Sequence, residues 1–243
     1  MSLKSSKSST ASNYNGGAVR LSNPDFDILA GLSQLHISRR VEKFTRIAGN
    51  EYAFMSRVKN STGQQIFVAY EKSTYSDRTF LGNSRPFEMH VYDNFNRHVM
   101  HLQRPCSCAD DNPVFPCCLN RINVFCPFGR TSALKEHVGR IQQKYWSFRS
   151  KFNIINGLGK VLLQIVGPKK YCCCCQCTDN QSFALLSPDG DNLNMGKILP
   201  STWQHFTDGN YFMVEFPLDM DTVTKALILA ASFLIEIVFY EKN

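Results

Sequence analysis

The C-terminal run at residues 224–240 restricts this chain more than any other feature. Ala226-Leu-Ile-Leu-Ala-Ala-Ser-Phe-Leu-Ile235 is followed by Glu236 and then by Ile237-Val-Phe-Tyr240. A surface helix carries one apolar stripe, but this run is apolar on every side and broken only by Ser232 and Glu236. A membrane-spanning helix needs roughly 20 predominantly apolar residues and tolerates a central acid poorly, and the run is about 15 long. A helix buried all round in a core is therefore expected, and the rest of the chain must supply its wrapping.

That wrapping reads as β-structure. Residues 51–58 alternate, Asn60-Ser-Thr-Gly63 supplies a turn, and residues 65–70 alternate again, which is a hairpin pattern. Residues 85–91, the turn Asp93-Asn-Phe-Asn96 and residues 98–102 make a second hairpin. The layout recurs at a constant offset. Gly63 maps to Gly159, Gln64-Gln-Ile66 to Lys160-Val-Leu162, Phe87 to Phe183, Asp93 to Asp189 and Leu102 to Ile198. We read an internal duplication of antiparallel hairpins. Two halves closing into one barrel would leave no exposed strand edges. Gly 14, Pro 10 and Phe 18 suit strands and turns. Before the first hairpin, Ile28, Leu29, Leu32 and Leu35 have helical spacing, which predicts a short helix within residues 27–41.

A hydrophobic share of 43% excludes global disorder. Residues 1–23 are rich in Ser, Asn and Gly and carry no acid, so a disordered tail is expected before one domain over residues 24–243. Lys and Arg number 27 against 20 acids, a net charge of +7 that suits an anionic membrane surface. A basic groove for DNA would show interleaved basic and aromatic residues. These are not conspicuous, so no nucleic-acid partner is expected. The ten cysteines cluster as Cys106, Cys108, Cys117, Cys118 and Cys126, then Cys172, Cys173, Cys174, Cys175 and Cys177. Four in a row cannot all pair locally, and no apolar signal region follows Met1. Reduced thiols in a cytosol-facing chain are expected.

Several segments together carry a resemblance. They are Lys59-Asn-Ser-Thr-Gly-Gln64, Ser84-Arg-Pro-Phe87, Leu102-Gln-Arg-Pro105 and Pro116-Cys-Cys-Leu119. The longest is Thr207-Asp-Gly-Asn-Tyr-Phe-Met-Val-Glu-Phe-Pro-Leu-Asp219, followed by the apolar helix. From about residue 28 onward the chain resembles the phospholipid scramblase family. The resemblance implies a mainly β, Tubby-like fold: a closed antiparallel barrel of about 12 strands, internally duplicated, around a central apolar C-terminal α-helix. It implies calcium-dependent, ATP-independent, bidirectional movement of phospholipids between membrane leaflets, without covalent chemistry. It implies a Ca2+ cofactor held by Asp208, Asn210, Phe212, Val214, Phe216 and Asp219, with Asn210 where an Asp is usual in the family. It implies palmitoylation, for which Cys117, Cys118, Cys172, Cys173, Cys174, Cys175 and Cys177 are the candidates. The expected partners are membrane phospholipids, anionic by preference, and a homo-oligomer is compatible with the sequence. The expected location is the cytoplasmic face of the plasma membrane, with a mitochondrial or other internal membrane as the alternative.

The residues leave other readings open. Residues 211–216 alternate as a β-strand, and an extended run over residues 208–219 spans about 36 Å, too far for its ends to share one ion. Asp219 or Asp221 would then cap the terminal helix. Cysteines of both clusters could instead hold zinc, or remain free and small in loops. No His-Glu-x-x-His or Gly-x-Ser-x-Gly is present, and the six histidines are scattered along the chain. Glu236 would sit among barrel-lining partners or remain protonated. The second functional reading is a Tubby-like adaptor that docks on anionic phospholipid without scrambling.

Overall fold

The alternating segments become strands because each places every second side chain against one apolar interior. The protein, as a computed structural model, is described over residues 24–47, 50–106, 119–127, 135–144, 149–169, 182–188, 193–200 and 210–241. Twelve strands are present among them. They are β1 (Gln34–Ile47), β2 (Asn50–Asn60), β3 (Gln65–Lys72), β4 (Phe87–Asp93), β5 (His98–Arg104) and β6 (Arg121–Pro127). The second six are β7 (Lys135–Gln143), β8 (Arg149–Asn156), β9 (Val161–Lys169), β10 (Phe183–Leu186), β11 (Asn194–Pro200) and β12 (Asn210–Glu215). Each pairs antiparallel with its sequence neighbour, and β12 pairs back onto β1 to close the barrel. Helix α1 (Tyr75–Leu81) links β3 to β4, and helix α2 (Thr222–Ile235) continues as a π turn over Glu236–Tyr240.

Helix α2 fills the barrel. Every residue from Val223 to Ile235 is buried, as are Glu236 and Ile237. The inward positions Phe87, Met89 and Val91 of β4, Ile122 and Val124 of β6, and Phe212 and Val214 of β12 pack in the same core. Each such side chain contributes about 1.5–3 kcal/mol of burial free energy. Gly139 of β7 shows how tight the enclosure is. A Cβ there would stand 2.4 Å from the Ile155 carbonyl oxygen and 3.1 Å from Leu227 of α2. The helix with its π turn covers 19 residues, longer than the apolar run suggests, because Thr222 to Lys225 extend it towards its cap. Its length and composition would suffice to cross a membrane, yet 78% of that stretch is buried inside this fold.

The duplicated turns at Gly63 and Gly159 match atom by atom, while Asp189, the expected counterpart of Asp93, lies outside the described residues. The Asn60 Oδ1 accepts from the N–H groups of Thr62 (3.1 Å) and Gln64 (2.9 Å), and Gly63 has φ 81°. The Asn156 Oδ1 accepts from Leu158 (3.1 Å) and Lys160 (2.8 Å), and Gly159 has φ 84°. Asp93 repeats the pattern with Phe95 and Arg97, and there Asn96 takes the left-handed position at φ 59°. Three hairpins thus share one device, a side-chain acceptor followed by a residue that tolerates positive φ.

The helix predicted within residues 27–41 is corrected. Only a 3-10 turn forms, over Pro24–Leu29, and β1 begins at Gln34. Leu35 and Ile37 are two apart and both point inward, so the strand period overrides the helical one once β2 and β12 are there to pair.

Candidate functional site

In an up-and-down barrel, every connection after an odd-numbered strand lies at one end and every connection after an even-numbered strand at the other. The first is the loop end, where α1 sits. The second is the hairpin end, where the turns at Gly63, Asn96 and Gly159 sit and where the chain passes from β12 into α2.

The loop end is closed by buried charges. Glu71 of β3 accepts from the Arg85 Nε at 2.8 Å and is paired with Arg39 of β1. The Arg85 Nη2 also reaches Glu241, just past the π turn, at 2.8 Å. Burial alone would raise the Glu71 carboxyl, but Arg39, Arg85 and the Ser73 hydroxyl together hold it below the usual carboxylate range. Phe54 lies under both guanidinium groups, 4.2 Å from that of Arg39. Glu236 projects from the π turn into this cluster, its Oε1 4.0 Å from the Arg39 Nε. Full burial pushes its pKa up to about 8, against the attraction of Arg39 and with added repulsion from Glu241 and Glu71. Of the two expectations for Glu236, the structure favours the protonated one: its Oε1 finds no hydrogen-bond partner among the described residues, and Arg39 is its nearest cation.

Above this floor the loop end presents apolar and basic groups to solvent. Thr74 caps α1 by accepting from the Asp77 N–H at 3.1 Å. The helix buries none of its residues, and Tyr75 and Phe80 are 75% and 83% exposed. Lys72, Lys144 and Arg149 stand exposed at the same end. So does the Cys106 thiol. Residues 107–118 follow β5 and residues 170–181 follow β9, so the chain enters and leaves both cysteine-bearing stretches at this end. Cys117, Cys118, Cys172, Cys173, Cys174, Cys175 and Cys177 themselves lie outside the described residues. The hairpin end also carries exposed apolar tips, Phe95, Leu158 and Leu218, with the exposed Lys59, Arg97 and Lys160 and with Asp219 and Asp221 beside them.

The six positions that the resemblance offers for calcium are distributed along the barrel wall. Asp208 lies outside the described residues. Asn210 opens β12 at the loop end, and Asp219 is exposed in the turn beyond its other end. Phe212, Val214 and Phe216 bury their side chains in the core. Phe212 and Val214 pair with β1 on one side and β11 on the other, which commits their carbonyls to the ladders. Six strand residues span about 20 Å, so Asn210 and Asp219 do not reach one ion. Among the described residues, this donor set does not fit a single calcium sphere, which needs six to eight oxygens at 2.3–2.6 Å. Asp221 is the helix cap foreseen as one of two choices, accepting from the Thr224 N–H at 3.1 Å.

Two features escaped sequence reasoning. Lys225 looks like an ordinary first-turn cation, yet it is fully buried. Its Nζ donates into four carbonyl oxygens, those of Leu32 (2.7 Å), Leu218 (2.8 Å), Leu29 (3.1 Å) and Ala30 (3.2 Å). It thereby ties the 3-10 turn to the start of α2. The second is the histidines. Scattered along the chain, three of them converge on the outer wall, where His90 and His101 stack at 4.7 Å and His98 stands 5.2 Å from His90. Cross-strand register between β4 and β5 makes this meeting, and no spacing in the sequence announces it.

A closed antiparallel barrel with its lumen occupied by an apolar helix, and with polar residues such as Gln34, His36, Ser38 and Lys151 outward, defines the class. Its lumen is occupied by its own helix. The Scramblase family profile matches residues 15–242, and the chain belongs to that family. Phospholipid scramblase 1 of Mus musculus is 35% identical over 225 residues, 90% of this chain and 65% of that protein. Phospholipid scramblase 2 of Bos taurus is 36% identical over 223 residues, 90% of this chain and 72% of its own length. Phospholipid scramblase 2 of Homo sapiens is 32% identical over 227 residues, with 90% and 71% covered. The chain thus spans about two thirds of the curated relatives it matches.

Proposed function

We propose that this chain moves phospholipids in both directions between membrane leaflets, without ATP and in response to calcium. Membership of the scramblase family carries this reading. The loop end is the membrane-facing surface: exposed aromatics on α1, basic residues around them, and the strand ends that lead into both cysteine clusters. One acyl chain anchors weakly, so acylated cysteines and a basic surface would act together. Anionic lipid on a cytoplasmic leaflet suits the net charge of +7. Because α2 fills the lumen, headgroups travel along the outside of the bound protein or between copies of it. Calcium dependence is proposed on the likeness of residues 207–219. The extended β12 separates Asn210 from Asp219, which disfavours one shared sphere for these two.

The enclosed helix and polar wall favour a second reading, an adaptor that binds anionic phospholipid without moving it. One assay separates the two. Purified protein is reconstituted in vesicles carrying a labelled lipid, and dithionite bleaches the outer leaflet with and without calcium. Calcium-stimulated loss of the protected inner pool in intact vesicles is expected. A fully protected inner pool with protein bound would overturn scrambling and leave the adaptor.

A further inference from the structure

The geometry points to a zinc site on the outer barrel wall, formed by Glu88 and His90 of β4 with His101 of β5. His90 and His101 are direct cross-strand partners, and Glu88 lies two residues along β4 on the same face. The Glu88 Oε2 is 3.8 Å from the His90 Nε2 and 3.7 Å from the His101 Nε2, and the three donor atoms all lie within 4.8 Å of one another. A tetrahedral zinc with bonds of about 2.0–2.1 Å places its donors about 3.3 Å apart. The trio therefore needs a contraction of about half an ångström at the carboxylate and a further closing of the two rings. Glu88, 44% exposed at its side chain, has the freedom to supply the first, and the closing of the ring nitrogens, up to about 1.5 Å, falls to His90, the more exposed of the two rings.

Three further observations agree. The two nitrogens on offer are both Nε2. The His90 Nδ1 stands 3.3 Å from the His98 Nε2, and a hydrogen bond at the far nitrogen commonly fixes the tautomer and orientation of a ligating ring. Access is graded, with His101 at 5% side-chain exposure, His90 at 20% and Glu88 at 44%, so an ion enters from solvent onto a fixed inner ligand. Two imidazoles and one carboxylate suit zinc and not calcium, which takes oxygen donors. Three protein ligands leave one position for water or another anionic oxygen. The three residues belong neither to the segment 208–219 nor to either cysteine cluster in sequence.

Cysteines also bind zinc, so the test removes them from competition. Full-length protein with alkylated thiols is titrated with zinc by calorimetry at pH 7.5, beside Glu88→Gln and His90→Gln/His101→Gln. One equivalent is expected for the parent chain, with affinity at least tenfold lower in Glu88→Gln and no uptake in the double variant. Uptake should weaken in acid, because the imidazoles must be neutral to ligate. Zinc-induced shifts of histidine ring protons should be confined to His90, His98 and His101. Absence of uptake at micromolar zinc, or equal uptake in Glu88→Gln, would overturn the site. Should the double variant not fold, Glu88→Gln decides alone, since its side chain is half in solvent. No lipid enters this titration, so its result is independent of lipid movement.

Discussion

At the scale of single residues, the barrel depends on a few buried charges whose environments set their behaviour. Glu236 is the sharpest case. Its pKa rises from 4.5 to about 8, so between those values the folded chain holds a proton that the unfolded chain releases. Its stabilising contribution is complete below about pH 4.5 and is lost as pH rises through about 8. Glu236→Gln should remove a slope of up to about 1.4 kcal/mol per pH unit, read from urea midpoints between pH 5 and 9. An unchanged slope would mean that Glu236 titrates normally. Glu71 has the opposite sign: its pKa is lowered, so its contribution is present above about pH 4.5 and is lost as the medium becomes more acid. At the other end, Lys225→Met leaves four inward-facing carbonyl oxygens without their cation. A loss of about 2–4 kcal/mol is expected in the same denaturation experiment. Glu236 was legible as a buried acid because it interrupts an apolar run. Lys225 was not, since a lysine in a first turn ordinarily reaches water.

At the scale of elements, turn chemistry was the most readable signal. Asn60 and Gly63, Asp93 and Asn96, and Asn156 and Gly159 announce the same hairpin because few residues accept two backbone N–H groups or adopt positive φ. Asn156→Ala should cost about 1–2 kcal/mol, with a similar loss for Asn60→Ala, checked by thermal midpoints. Helix α1 was not foreseen. Seven residues without a buried face show no apolar periodicity, and its Thr74 cap is meaningful only once β3 has ended there. Its exposed aromatics make a direct prediction about orientation. Tyr75→Ser/Phe80→Ser should weaken binding to anionic vesicles several-fold, while Phe95→Ser at the hairpin end leaves binding unchanged. The reverse pattern in a co-sedimentation assay would invert the barrel on the membrane.

At the scale of the whole molecule, the central fact is that α2 is sealed. The amides of α2 should exchange hydrogen only through global unfolding, as the barrel must open to release them. The same protection should persist when anionic vesicles are added. Loss of protection confined to α2 in the presence of vesicles would show the helix leaving the barrel for lipid.

The all-round apolar run at residues 226–240 already required an enclosed helix. The sequence also determined that duplicated hairpins do the enclosing, because alternation, turn acceptors and all-round apolarity are local properties of short segments. Strand closure decided the rest. The extended β12 put Asn210 and Asp219 at opposite ends of the barrel, and the up-and-down order brought the strand ends that flank both cysteine-bearing stretches to one end. Register between β4 and β5 brought Glu88, His90 and His101 together. Such meetings depend on which backbone groups pair across space, and that is a property of the closed sheet as a whole.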